Sequence, residues 1–317
     1  MQHSVWFLNN DPQVAAGSTN EGTQANPFVS IDLYNASSLP RPGDIAFFQS
    51  GTYTGSPNLQ DRQIVASKVD DFLAESASRW GDYSALYLPA SFEFPQEPAT
   101  IVSPTGTAVT LAKDNALIGI SLSVGPDGYA IKGTDFGRLT LYDVRATGPG
   151  AKVDLENGSL HATRTEVLIS STSTTGPALR WAVGSMENGA DGPPAEDGKH
   201  YGPTLALAFC NITGPDGGVD ARALGSASAK VVATDSVISG GAGIAFAVTS
   251  QETSTLSATF TGNTVAGIAG DFWFDREDDS TFTFAGFTGT DADAATAFIQ
   301  GNNVGDPRVF FGAGIQF

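Results

Sequence analysis

Apolar and polar residues alternate in short runs along most of the chain, and the runs share one design. LTLYDVRATG from Leu139, LALAFCNITG from Leu205, KVVATDSVISG from Lys230 and LSATFTGNTVAG from Leu256 each read as a strand, a polar corner and a shorter strand ending in Gly. The corner positions Asn211, Ser236 and Asn263 follow one another after roughly 25 and roughly 27 residues, the length of one coil in a stacked repeat. TRTEVLIS puts Glu166 at the same corner, and QGNNVGD from Gln300 repeats the shape of TGNTVAG with Asn302 in that place. From Glu166 to Asn211 is roughly 45 residues, one coil plus about twenty more. The surplus falls on Trp181 to Pro203, whose Gly and Pro content and lack of alternation predict a loop inserted between coils. Loops of that length are usually functional or mobile, which makes Trp181 and Tyr201 candidate ligand contacts.

Stacked windings explain the residue types. A tight bend between strands calls for a residue with positive φ, which Gly and Asn tolerate best. Piled coils would set the Asn amides in a row, each within reach of its neighbours. Asn211, Ser236, Asn263 and Asn302 are therefore expected as structural corners. Leu205, Leu207 and Phe209 should share the inner face, as should Phe282, Phe284 and Phe287 further on. At about 4.8 Å per coil, Ile101 to Phe287 would form seven or eight windings and a rod of somewhat under 40 Å. The expected architecture is all-β, a right-handed parallel β-helix (solenoid) with an N-terminal capping region. Residues 1–98 would form the cap and first coil, and 99–317 the remaining coils of one continuous solenoid.

An open end of such a rod needs covering. Ser30 is a suitable helix N-cap and SIDLYNASSLP stops before Pro40, which predicts a short helix there. Val65, Val69, Phe72, Leu73, Ala77 and Trp80 follow helical spacing and predict a second helix over Asp61 to Trp80. At the other end VFFGAGIQF alternates apolar side chains up to Phe317, a pattern also found in the terminal strand of an outer-membrane barrel. Because most of the chain lacks barrel strands, a closing strand of the solenoid is the favoured reading.

Composition narrows the class further. The 317 residues are 41% hydrophobic and 16% charged with 37 Gly, which suits many short strands and turns and excludes a coiled coil. A formal charge of −18 repels nucleic acid and anionic membrane, so neither is an expected partner. Cys210 is the single cysteine, which rules out an intramolecular disulfide, and its apolar surroundings mark it as a buried small residue. MQHSVWFLNN lacks signal-peptide features and no run reaches the length of a membrane helix, so no direct membrane insertion is expected from this segment. An exported form would then be part of a longer surface protein.

The stretch EGTQANPFVSIDLYNASSLPRPGDIAFFQSGTYTG resembles the N-terminal opening of bacterial right-handed parallel β-helix surface proteins, through Asn26-Pro27-Phe28, Pro42-Gly43-Asp44 before IAFF, and Gly51-Thr52-Tyr53. NLQDRQIVAS and PATIVSPTGTAVTLAKDNALIGISL are similar to the next coils of such proteins, including β-helical passengers of inverse-autotransporter-like outer-membrane proteins. This resemblance covers roughly the first 125 residues by motif and the rest by coil shape alone. It implies that Asp61 to Ser67 is a strand, against the helical spacing, and it implies an extracellular or bacterial cell-surface location. The same scaffold carries adhesins, tail fibres, lyases and hydrolases, so it leaves function open.

Chemistry is sparse. DREDD, Asp275 to Asp279, is the best candidate site, because Trp273 offers a stacking surface and Arg276 a partner for an acidic sugar; Trp273, Asp275, Arg276 and Asp278 are the expected ligand contacts. GPDGGVD from Gly214 reads as an ordinary turn and lacks the spacing of a calcium loop. His161 stands near Arg164 and Glu166, a conceivable proton-transfer trio on what is more simply a polar strand face. HExxH, GxSxG and phosphate-loop motifs are absent, and no catalytic residue, cofactor or metal ligand is assigned. The expected function is an adhesin-like binding module of the cell surface, presenting loops to a glycan or a host-surface protein. A polysaccharide lyase or glycoside hydrolase, and a structural spacer, remain the alternatives.

Overall fold

A computed structural model of the chain describes residues 4–69, 95–170, 175–184, 202–312 and 314–315. Within them the backbone winds through stacked coils, and all strand pairings are parallel. The molecule is an all-β parallel solenoid with three faces. One face is an eight-stranded sheet of short strands running from Thr52–Thr54 through Arg145–Gly148 and Asn211–Thr213 to Thr264–Ala266. From each short strand the chain turns into a second sheet, then a third, and returns. The coil that starts at Asn211–Thr213, for example, continues through Gly217–Ala223 and Ser228–Thr234 to Val237–Ser239. Two long strands, Tyr129–Tyr142 and Val153–Thr163, run through the corner between the second and third sheets, which hydrogen bonding thereby joins into one 16-stranded array.

Period-two alternation places the core inside this tube. Leu160, Leu205, Val231, Ala258 and Phe284 form one inward column of the third sheet, each in register with the next and all buried. Large and small side chains share the space, so successive layers interlock. Towards the C-terminal end the filling is aromatic: Phe274 meets Phe282, Phe284 and Phe311 at ring-centroid distances of 5.7, 4.8 and 5.9 Å. Burying each such ring contributes about 1.5–3 kcal/mol. The early strands of the third sheet are buried on both sides. Ala46, Phe48, Val65 and Leu117 point inward, while Phe7, Ile45, Phe47, Ile118 and Tyr142 form a second apolar cluster on the outer side.

The corners depart from the sequence reading in an instructive way. Asp143, Arg164, Phe209, Asp235 and Gly262 turn the chain from the third sheet into the short one, at φ of 51°, 51°, 54°, 47° and 70°. The left-handed residue is thus the one before the buried corner, and the buried positions are Thr165, Cys210, Ser236 and Asn263. Asn211 pairs with Glu166 and Val237 and so stands one place beyond that row, with Cys210 beside Ser236. At the end of the series Asn303, rather than Asn302, meets Asn263, their side chains lying 2.9 Å apart. Phe209, expected inside, is 54% exposed because the left-handed turn swings its side chain outward.

Other expectations are met or revised locally. A helix spans Ile31–Ala36, with the Ser30 hydroxyl accepting from Leu33 N at 3.2 Å and Ile31 and Tyr34 buried. Ile64–Ala66 is a strand between Ile45–Phe48 and Ala116–Ile118, not part of a helix: parallel pairing on both edges outweighs the helical spacing, while residues 70–80 lie outside the described residues. Near the C-terminus QGNNVGD begins inside a helix, Ala292–Asn302, capped by Asp291, whose carboxylate accepts from Ala294 N at 2.8 Å. Val309–Phe311 then pairs in parallel with Gly270–Arg276 and closes the second sheet.

Candidate functional site

The outer surface of the second sheet gathers chemically varied side chains in straight rows. Because coils stack in register, one outward row reads Lys132, Asp154, Arg180, Asp220, Ala247, Trp273 and Phe310. The next row, two residues along, reads Glu156, Ala182, Arg222, Thr249 and Asp275. Charges alternate along the first part of the face and aromatics end it.

In the charged part every guanidinium is chelated. Arg180 donates to Asp154 at 2.6 Å and Glu156 at 2.7 Å. Arg222 grips Asp220 through Nε at 3.0 Å and Nη2 at 2.7 Å, and those hydrogen bonds are the main reason its pKa is raised. The Arg180 pairs tie neighbouring coils together, the Arg222 pair lies within one strand, and neither guanidinium is left as a free group for a ligand.

The aromatic part is built differently. Trp273 and Phe310 lie on adjacent strands with ring centroids 6.3 Å apart and planes 26° from parallel. Phe310 leans back over Gly270: a Cβ on that glycine would come within 3.1 Å of ring atoms Cδ2 and Cε2. The missing side chain is the seat of the ring. Phe310 remains 39% exposed beside the tryptophan. Asp275 shares the outward face with Trp273, and its side chain lies against Gly312, just past the last strand, where a Cβ would collide with it.

Of the expected ligand contacts, the structure brings Trp273 and Asp275 together on this face. Arg276 is turned away, its Nε donating to Ser280 O and its Nη1 to Gly314 O at 3.1 Å. Asp278, at φ 57°, is the left-handed residue of the next corner, the place Glu252 holds one coil earlier. Trp181 is no loop residue: it lies in the strand Leu179–Val183, fully buried, with Nε1 donating to Gly158 O at 2.8 Å, and is closed to a ligand. Tyr201 lies outside the described residues. Phe310, Arg180 and Arg222 were not singled out in the sequence, and Asp220, read there as part of a GPDGGVD turn, lies instead in the strand Gly217–Ala223. Their outward alternation in VFF, LRW and VDAR was visible, but the register joining them across distant segments was not.

Two further clusters complete the inventory. The trio His161, Arg164 and Glu166 does not assemble, because Arg164 donates to the Tyr142 hydroxyl at 3.0 Å and Glu166 pairs with Arg145 at 2.6 Å. His161 is half-buried instead, and that burial together with the Arg138 charge pushes its pKa down to about 4. At the C-terminal end partial burial works against the Asp271 charge, yet hydrogen bonds from Arg308 and from Gly267 N outweigh it and hold the carboxyl below its ordinary range. Arg308 also donates to the carbonyls of Gly267 and Ile268, so it staples the last turns. Among the described residues no group of three or more His, Cys, Asp or Glu is placed to hold a metal ion, and no helix is long and apolar enough to cross a membrane.

Comparisons with protein-family models, with curated proteins and with solved structures each return no match.

Proposed function

We propose that this protein is a glycan-binding module displayed outside the cell, adhesin-like, on a right-handed solenoid whose N-terminal region caps the open end. The observation that carries the reading is the pair of half-buried Trp273 and exposed Phe310, seated side by side on a rigid sheet with Asp275 and Thr249 beside them. A pyranose ring has an apolar face of C–H groups and a rim of hydroxyls. Aromatic surface flanked by hydrogen-bonding side chains meets both needs. The setting is rigid, since Trp273 rides on a strand paired on each side and Phe310 is wedged over Gly270. A preorganised surface loses little entropy on binding, which is what a weak surface contact needs to be selective. The resemblance of the first coils to surface β-helices supports an extracellular setting.

Glycan-array screening followed by calorimetry tests this. Trp273→Ala and Phe310→Ala are each expected to weaken binding about tenfold, the loss of roughly 1.4 kcal/mol of stacking. An array without binders, or release of reducing sugar from a bound polysaccharide, would replace this reading with the spacer or the enzyme.

A further inference from the structure

We infer that the glycan taken by this face carries positive charge, as an amino sugar with free amines does. The inference rests on the glycan reading above and adds its charge class. Sequence alone had paired Trp273 with Arg276 as a receptor for a carboxylate or sulfate. The geometry reverses that expectation. Arg276 is held by the carbonyls of Ser280 and Gly314, Arg308 by Asp271 and the carbonyls of Gly267 and Ile268, and Arg222 by Asp220. Each nearby guanidinium is therefore spent within the protein.

The carboxylates are arranged the other way. Asp275 stands two residues from Trp273 on the same outward face, about 7 Å along the strand. Its Oδ1 accepts only a backbone N–H, that of Arg276 at 2.9 Å, and among the described residues no cation pairs with it. Glu277 accepts a hydrogen bond from the neutral amide of Gln251 at 2.8 Å, and Asp278 and Asp279 follow it on the exposed corner. An ammonium group on a sugar lying against Trp273 would meet the negative face of the indole and the Asp275 carboxylate together. A uronate or sulfate in the same place would meet the same charge as its own. The formal charge of −18 adds to the bias by drawing cationic polymers and repelling anionic ones over longer distances.

Three oligosaccharides of one length separate the possibilities: a glucosamine oligomer, its fully N-acetylated neutral counterpart and a galacturonate oligomer, measured by calorimetry at low and high salt. The glucosamine oligomer is expected to bind about tenfold tighter than the neutral one, an advantage that shrinks with salt, and the uronate not at all. Asp275→Asn should bring the charged and neutral oligomers to nearly equal affinity, while Phe310→Ala should weaken both alike. Equal affinity of the wild type for charged and neutral oligomers, or binding of the uronate, overturns the charge inference and leaves the glycan reading in place. Binding of none of the three, together with a blank glycan array, removes both.

Discussion

Asn263 is bonded to Ser236 across one coil: its Oδ1 accepts the Ser236 backbone N–H at 3.1 Å, while its Nδ2 donates to Ala233 O at 2.8 Å. The next link is formed by Asn303, whose Oδ1 accepts from both the backbone and the side chain of Asn263. Ser236 in turn accepts from Cys210 N through its hydroxyl at 3.1 Å, so the buried corners of three coils and the C-terminal helix end form one polar chain. Asn263→Leu removes these bonds and leaves buried backbone groups unpaired. Destabilisation by about 1–3 kcal/mol is expected, read by chemical denaturation. A variant as stable as the wild type would mean that these amides find other partners and that the chain of corners is dispensable.

Cys210 sits in the same chain and is buried, its Sγ 3.4 Å from the carbonyls of Ala162 and Ala208. Burial raises its pKa to about 11, so at neutral pH it holds its proton and is a poor nucleophile. In the folded protein the thiol should stay silent towards a chromogenic disulfide reagent, then react at once in denaturant. Rapid reaction without denaturant would show that the third sheet opens locally at this coil.

His161 makes stability depend on pH. Its pKa is about 4 in the folded protein and about 6.5 in the unfolded chain, so between those values the unfolded chain binds the extra proton. Stability is therefore greatest above pH 6.5, falls as pH drops towards 4 by up to about 3 kcal/mol, and levels off below that. His161→Gln should remove this part of the acid sensitivity. Denaturation midpoints of the two proteins at neutral and acid pH check it: parallel loss in both would assign the acid sensitivity to other groups.

How far the residues alone reached follows from what each signal measures. Period-two alternation reports one strand at a time: it located Leu205 and Leu207 inside, but carried Phe209 in with them although the strand Thr204–Ala208 ends one residue before it. It says nothing of register between segments a coil apart. A slip of one residue is enough to confuse Asn211 with the buried Cys210, and Asn302 with Asn303. Asn looked right for a positive-φ corner, yet the chain gives that conformation to Arg164 and Phe209, which local preference would place elsewhere. Pairing also overrode spacing at Ile64–Ala66, since two parallel neighbours fix a strand more firmly than a sparse helical pattern fixes a helix. The candidate site was half legible for the same reason. Trp273 and Asp275 were visible in one segment, whereas Phe310 joins them only through the pairing of Val309–Phe311.

Phe209 offers a last test of how these corners work. At its place in the series stand Asp143, Arg164, Asp235 and Gly262, and it is the one aromatic among them. Its φ of 54° costs an L-residue of this size about 1–2 kcal/mol, and with half the ring in solvent little burial offsets that. Asn tolerates the left-handed conformation through its short polar side chain. Phe209→Asn is therefore expected to stabilise the protein by up to about 1 kcal/mol, a gain of a few degrees in melting temperature. A loss of comparable size would contradict the reasoning directly, because it could arise only if the exposed ring makes contacts worth more than the strain it carries. In that event the aromatic would be held at this corner for a partner or for its own packing, and the binding measurements on Phe310→Ala should be repeated on Phe209→Asn.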